Sequence, residues 1–174
     1  MGGTVSVEST QSVGSCFKLT IPFIIGIGTV DNHETSPKIN VKWDGPPLRL
    51  LYVEDDPINI AYAASLFNKL GHDFLVAENG RECLTALENG KFDLVLMDIQ
   101  MPVMNGEEAL QEIRKKEQGT TAHLPVIALT AYSMRGDKDR FLKEGFDGFI
   151  SKPLTVGELA GEMQRVVKTV ARVK

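Results

Sequence analysis

Six polar side chains stand where they could do chemistry together: Glu54, Asp55 and Asp56 in one run, then Asp98, Thr130 and Lys152. Each group closes a short apolar stretch, at 50–53, 94–97, 126–129 and 148–151. Taken singly, each has an ordinary use. The acidic triplet could be a solvated turn that caps a helix, and Asp98 a turn residue before Met101-Pro102. Thr130 could cap a helix, and Lys152 could be a surface lysine with a buried stem. Taken together they ask for something else. Clustered carboxylates repel one another unless a hard cation sits among them, and an all-oxygen set suits Mg²⁺, which keeps several of its waters. An Asp beside such a cation is ionised at neutral pH and needs no general base to act as a nucleophile. An ammonium and a hydroxyl alongside would stabilise the dispersed negative charge of a phosphoryl group moving onto it.

Those residues need elements that bring them to one place. Strand-like runs lie at 50–53, 74–77, 94–97, 126–129 and 148–151, with helical patterns at 58–70, 81–88, 107–116, 137–144 and 156–170. The last helix shows its apolar stripe in Leu159, Met163, Val166, Val167 and Val170. Four of the strands are near-continuous apolar runs, as buried parallel strands are. Five βα units imply an α/β fold, a doubly wound five-stranded parallel sheet with right-handed crossovers and helices on both faces. Ligands bind such sheets outside the carboxyl ends of the strands, which is where the six residues fall.

Composition permits this without requiring it. The chain has 174 residues, 43% of them hydrophobic and 24% charged, with a net charge of −4. That length suits one buried domain and an appendage. The mild acidity, present in both 1–47 and 48–174, gives no electrostatic case for nucleic acid or an anionic membrane. Two distant cysteines, Cys16 and Cys83, suit a reducing compartment and no metal spacing. No basic stretch precedes an apolar one at the start, and the apolar run at 21–28 is too short to span a bilayer.

Three segments follow. Residues 1–23 hold two alternating runs, Thr4-Val5-Ser6-Val7-Glu8-Ser9 and Cys16-Phe17-Lys18-Leu19-Thr20-Ile21, which predict a hairpin. A lone hairpin is marginal in water and needs something to pack on. Residues 24–47 read as a linker ending in Asp44-Gly45-Pro46-Pro47, with His33 a solvated loop residue. Residues 48–174 carry the βα pattern.

Leu51-Tyr52-Val53-Glu54-Asp55-Asp56-Pro57-Ile58-Asn59, Leu96-Met97-Asp98-Ile99-Gln100-Met101-Pro102-Val103-Met104-Asn105-Gly106, Leu129-Thr130-Ala131 and Phe149-Ile150-Ser151-Lys152-Pro153 together resemble a two-component response-regulator receiver domain. The resemblance covers nearly all of 48–170 and implies a flavodoxin-like sheet of order 2-1-3-4-5. It implies that Asp98 is the phosphoacceptor, with Lys152 and Thr130 assisting. Mg²⁺ would be held by Asp55 and Asp98 directly, by Glu54 mainly through water, and by the backbone carbonyl of Gln100. Thr130 and Phe149 would form a switch pair, and the Lys152-Pro153 bond would be cis. Glu54 replaces the family's commoner Asp, and Phe149 lacks a tyrosine's hydroxyl. The resemblance also implies a histidine kinase phosphodonor domain or a histidine phosphotransfer protein as partner, docking near Pro57, Ile58, Tyr62 and Ala131.

The N-terminal hairpin is similar to the closing hairpin of a histidine-kinase ATP-binding domain, so the chain looks like the tail of a hybrid sensor kinase. Kinase motifs are absent from it, and it is expected not to phosphorylate from ATP by itself. A cytoplasmic location follows from that resemblance, with no nucleic-acid partner and no direct membrane contact. Two other readings compete. An aspartyl phosphatase of the haloacid-dehalogenase type carries a second acid two residues after its nucleophile, where this chain has Gln100. A degenerate receiver would not keep the acid, Thr and Lys set, and a flavin-binding module would want a hydroxyl- and Gly-rich loop after the first strand, where Asp56-Pro57-Ile58-Asn59 would instead repel a phosphate. A DNA-binding output is not expected after the last helix, which few residues follow.

Overall fold

A computed structural model describes residues 2–10, 12, 14–22, 43–131 and 137–171. It divides into two units, 1–38 and 39–174. Most of the expected linker, His33 included, and the greater part of the apolar run lie outside the described residues.

In the first unit β1 (Thr4–Thr10) pairs antiparallel with β2 (Gly14–Thr20). The expected alternation puts Val5 opposite Leu19 and Val7 opposite Phe17 on one face. All four are more than half exposed, because among the described residues no second layer covers the two strands. The turn runs through Ser12 and Gly14, both at positive φ (64° and 137°).

The second unit alternates strand and helix throughout. In order it holds β3 (Arg49–Val53), α1 (Pro57–Leu70), β4 (Asp73–Ala77), α2 (Gly80–Asn89) and β5 (Leu94–Asp98). There follow α3 (Gly106–Glu117), β6 (Val126–Thr130), α4 (Asp137–Glu144), β7 (Gly148–Ser151) and α5 (Val156–Ala171). Every pairing is parallel, in the order β4-β3-β5-β6-β7, which is the expected 2-1-3-4-5. The period of two along the strands feeds two cores. Leu50, Tyr52, Leu96 and Leu129 meet α1 and α5 through Phe67, Leu159 and Met163. Leu51, Val53, Met97 and Ala128 meet α2, α3 and α4 through Cys83, Leu110 and Phe141. Cys83 is thus a small buried apolar residue, and burial pushes its thiol up to about 12.

Two strands run one residue further than their apolar runs. Asp98 pairs with Leu129 and Thr130 with Ser151, so both sit in the last rung of the sheet. Asp56 ends the acidic run as the N-cap of α1, accepting from the N–H groups of Ile58 (2.7 Å) and Asn59 (3.4 Å). The triplet therefore divides, with its third member serving the helix.

Before β3, Trp43 packs edge-on against His72, ring centroids 4.8 Å apart, and extends the first core. His72 Nδ1 accepts from the Leu48 N–H at 3.2 Å, so its proton rests on Nε2, a buried atom without a hydrogen-bond partner among the described residues. Burial holds this imidazole below its ordinary value. Such a base takes up its proton more readily when unfolded. Its contribution to stability is complete above about pH 6.5, the unfolded value, and is lost as pH falls toward the folded one. Trp43 is the only tryptophan and can report this. Between about pH 7.5 and 5, the fluorescence-detected Tm should fall more steeply for wild type than for His72→Asn. Parallel slopes would remove His72 from the pH response.

Candidate functional site

The last residues of β5 and β6, and the residues that follow β3 and β7, meet at one sheet edge. Glu54 follows β3 and is 1% exposed, Asp98 is 7% and Thr130 3%, whereas Asp55 stands in solvent. Lys152, next after β7, reaches back across the sheet. Its Nζ donates to Glu54 Oε2 at 2.6 Å and to Asp98 Oδ2 at 2.7 Å. Asp98 Oδ1 accepts from the Gln100 N–H at 3.2 Å. With Thr130 and Gln100 these groups line a cleft of about 880 Å³.

Burial is the strongest influence on Asp98 and leaves its carboxyl above the usual value, against the opposing pull of Lys152 and the Gln100 N–H. Burial works to lower the Lys152 ammonium, but its bonds to Asp98 and Glu54 outweigh that and leave it raised. The lysine keeps its proton.

Oxygens of Glu54, Asp55 and Asp98 lie within 4.8 Å of one another, a set whose hardness and charge fit a divalent cation such as Mg²⁺. Among the described residues no hydrogen bond reaches the Asp55 side chain, so it faces the cleft without a competing partner. Gln100 lies on the same rim. Phe149, on β7, is partly buried against the second core and lies opposite Ala128 of β6. The Lys152-Pro153 bond is cis.

On α1, Pro57 is exposed and Ile58 is 77% so, while Tyr62 is half out and donates to the Leu154 carbonyl at 2.9 Å. Tyr62 is therefore a strut as well as a surface residue. Ala131 lies exposed on the cleft rim.

Two residues at this edge, Tyr52 and Asn59, were not singled out as site members by the sequence. Tyr52 Oη donates to Glu54 Oε2 at 3.2 Å, and Asn59 Nδ2 donates to Oε1 at 3.0 Å. The available signal was a polar-tipped aromatic two positions before an acid, hence on its side of the strand. Burial, then the Glu54 charge, holds the Tyr52 hydroxyl far above its ordinary value, so it donates. In the loop after Asp98, Val103 is a β-branched residue at φ 68° and 76% exposed. No local pattern announces that conformation, which is a rare one for such a side chain.

The family model described as the response regulator receiver domain matches residues 50–164, more than half of the chain. The chain belongs to the response regulator receiver family. This receiver is 36% identical over 165 residues to the aerobic respiration control sensor protein ArcB of Escherichia coli (strain K12), covering 95% of the chain and 20% of that protein. It is 38% identical over 113 residues to hybrid signal transduction histidine kinase I of Dictyostelium discoideum, covering 62% of the chain and 6% of that protein. The receiver thus spans a fifth or less of these two relatives' length.

Among solved structures it matches the receiver domain of sensor histidine kinase PA1611 from Pseudomonas aeruginosa PAO1, which has a magnesium ion coordinated in its active site cleft. That match has 31% identity and a TM-score of 0.62, over 71% of this chain and 99% of that one. It also matches the co-crystal structure of the Saccharomyces cerevisiae histidine phosphotransfer signaling protein Ypd1 with the receiver domain of Ssk1. Here identity is 32% and the TM-score 0.61, over 66% of this chain and 85% of that one.

The loop after Asp98 folds tightly over the receiver's site. The Gly106 N–H donates to the Ile99 carbonyl at 3.1 Å, and a Cβ at Gly106 would collide with the Asp98 carbonyl oxygen. Gly106→Ala should cost about 1–3 kcal/mol by overpacking. Gly161→Ala, on an open face of α5, should gain about 0.5–1 kcal/mol. Thermal melts of the two variants check the contrast, and a Gly106→Ala protein as stable as wild type would show that the loop can retreat.

Proposed function

We propose that residues 48–174 accept a phosphoryl group from phosphohistidine onto Asp98, with Mg²⁺, and thereby alter the receiver's surface for a partner. The observation that carries this is the single ammonium of Lys152 shared by Glu54 and Asp98, with Asp55 open beside them. Four charged groups leave a surplus of negative charge. Asp55 and Asp98, with the Gln100 carbonyl, would hold the metal directly. Glu54 already carries three donors and would act through water. Mg²⁺ supplies neutralisation of the phosphoryl oxygens when bound.

An oxygen of Asp98 attacks phosphorus, and the new O–P bond forms as the donor's N–P bond breaks. The electron pair returns to the donor imidazole. Lys152 follows the charge outward onto a phosphoryl oxygen, and the Thr130 hydroxyl takes another. Phe149 responds to the place Thr130 vacates. Attack by water on phosphorus then returns the carboxylate and releases inorganic phosphate. The magnesium in the Pseudomonas neighbour and the phosphotransfer protein in the yeast complex support this choice of cofactor and partner. The remaining segments read as a linker at 24–47 and a hairpin at 1–23 that belongs to the edge of a kinase ATP-binding domain. Its uncovered apolar face supports the second assignment. Such a parent would place the receiver in the cytoplasm.

Intact-mass measurement after incubation with a small acyl phosphate should show one added phosphoryl group on wild type only with Mg²⁺, and none on Asp98→Asn. Equal labelling of both proteins would end the assignment. For the partner surface around Pro57, Ile58, Tyr62 and Ala131, Ile58→Glu should slow histidine-to-aspartate transfer about tenfold or more. Its labelling by the acyl phosphate should stay normal. Equal slowing of both reactions, or of neither, would take α1 off the docking surface.

A further inference from the structure

Glu54 is a carboxylate almost wholly out of water, and a buried charge persists only where donors replace its hydration. One of its donors is on loan. Lys152 Nζ lies 2.6 Å from Glu54 and 2.7 Å from Asp98, and it must follow the charge to the phosphoryl group once Asp98 is esterified. If Lys152 were the only donor, its departure would strand Glu54. Two other donors have no part in the transfer. Tyr52 reaches Oε2 from within β3, its ring fixed against Phe67 at 5.3 Å, and Asn59 reaches Oε1 from the first turn of α1. One pins the carboxylate from the sheet and the other from the helix.

We infer that Tyr52 and Asn59 are positioning residues that keep Glu54 in place so that Lys152 can leave it. This rests on the reading of Asp98 as phosphoacceptor. Among the described hydrogen bonds neither Tyr52 nor Asn59 reaches Asp98, and both reach Glu54, so they act through Glu54 and Lys152. Without them Glu54 leans wholly on the ammonium, and the lysine is held back. The phosphoryl group then arrives on Asp98 with less of its charge met.

Two measurements test the inference. At saturating Mg²⁺, labelling of Asp98 by a small acyl phosphate should slow about tenfold in Tyr52→Phe and in Asn59→Ala, and further in the double variant. Thermal melting in chelator gives a second readout that needs no chemistry. Tyr52→Phe should lower Tm in the wild-type background but not in Glu54→Ala, where the hydroxyl has no carboxylate left to serve. Should Glu54→Ala not fold, Glu54→Gln replaces it, and the drop should shrink to about half as the bond loses its charge. Equal drops in both backgrounds would mean that Tyr52 merely packs, and unaltered labelling in both single variants would likewise overturn the inference. Failure of wild type itself to label would overturn the phosphoacceptor reading instead, and the melting cycle would still decide who holds Glu54.

Discussion

The Lys152 ammonium bridges carboxylates that arrive from two other strands, and the sheet order sets how hard that is. Neighbouring strands lie about 4.8 Å apart, and β7 is separated from β5 by β6, and from β3 by both. The ammonium must therefore come back over the Thr130 strand end to meet Asp98, and further still for Glu54. Length decides which residues can do this. A lysine stem is long and flexible, and Glu54 meets it with one methylene more than an aspartate would offer. Two acids buried at this edge would repel each other and lack solvation. The shared cation relieves both costs, and breaking a buried pair of this kind costs about 3–5 kcal/mol.

That arrangement also explains which carboxylates remain available. Glu54 is saturated by Lys152, Tyr52 and Asn59, and Asp56 is committed to the start of α1. Asp98 has Lys152 on one oxygen and the Gln100 N–H on the other. Asp55 and Asp56 both stand in solvent on the cleft rim, but among the described residues Asp55 alone of the triplet accepts no hydrogen bond. Three adjacent acids thus take three different tasks, set by direction along the chain: into the core edge, over the cleft, and back onto a helix terminus.

The elements were legible to within a residue or two because each buries one face, and burial writes a period of two or 3.6 into the sequence. Glu54, Asp98, Thr130 and Lys152 were legible for a related reason: the first three are each the first polar residue after an apolar run and Lys152 comes one residue after Ser151, and a parallel sheet sends all such positions to one edge. What stayed hidden depends on reach rather than period. The Tyr52 hydroxyl looks like one more core aromatic until its tip is placed beside Glu54. Asn59 looks like a helix surface residue. Trp43, within the stretch read as linker, finds His72 through a contact that no spacing encodes. Val103 is the middle residue of a three-residue turn closed by the Met104 N–H on the Pro102 carbonyl at 2.7 Å, which takes a positive φ.

Helix α1 gathers these threads. Asp56 starts it, Asn59 on its first turn holds Glu54, and Tyr62 one turn on holds the carbonyl of Leu154, two residues beyond Lys152. Ile58 and Tyr62 are four apart and share a face, and both are exposed. The helix that presents an apolar face to solvent therefore also fixes both ends of the Glu54–Lys152 pair. A helix is stiff along its axis, and its packing against β3 and β4 leaves it little freedom to bend. One hydrogen bond ties this helix to Glu54 and another ties it to the segment after Lys152, so the exposed face and the groups around Asp98 are built on the same element.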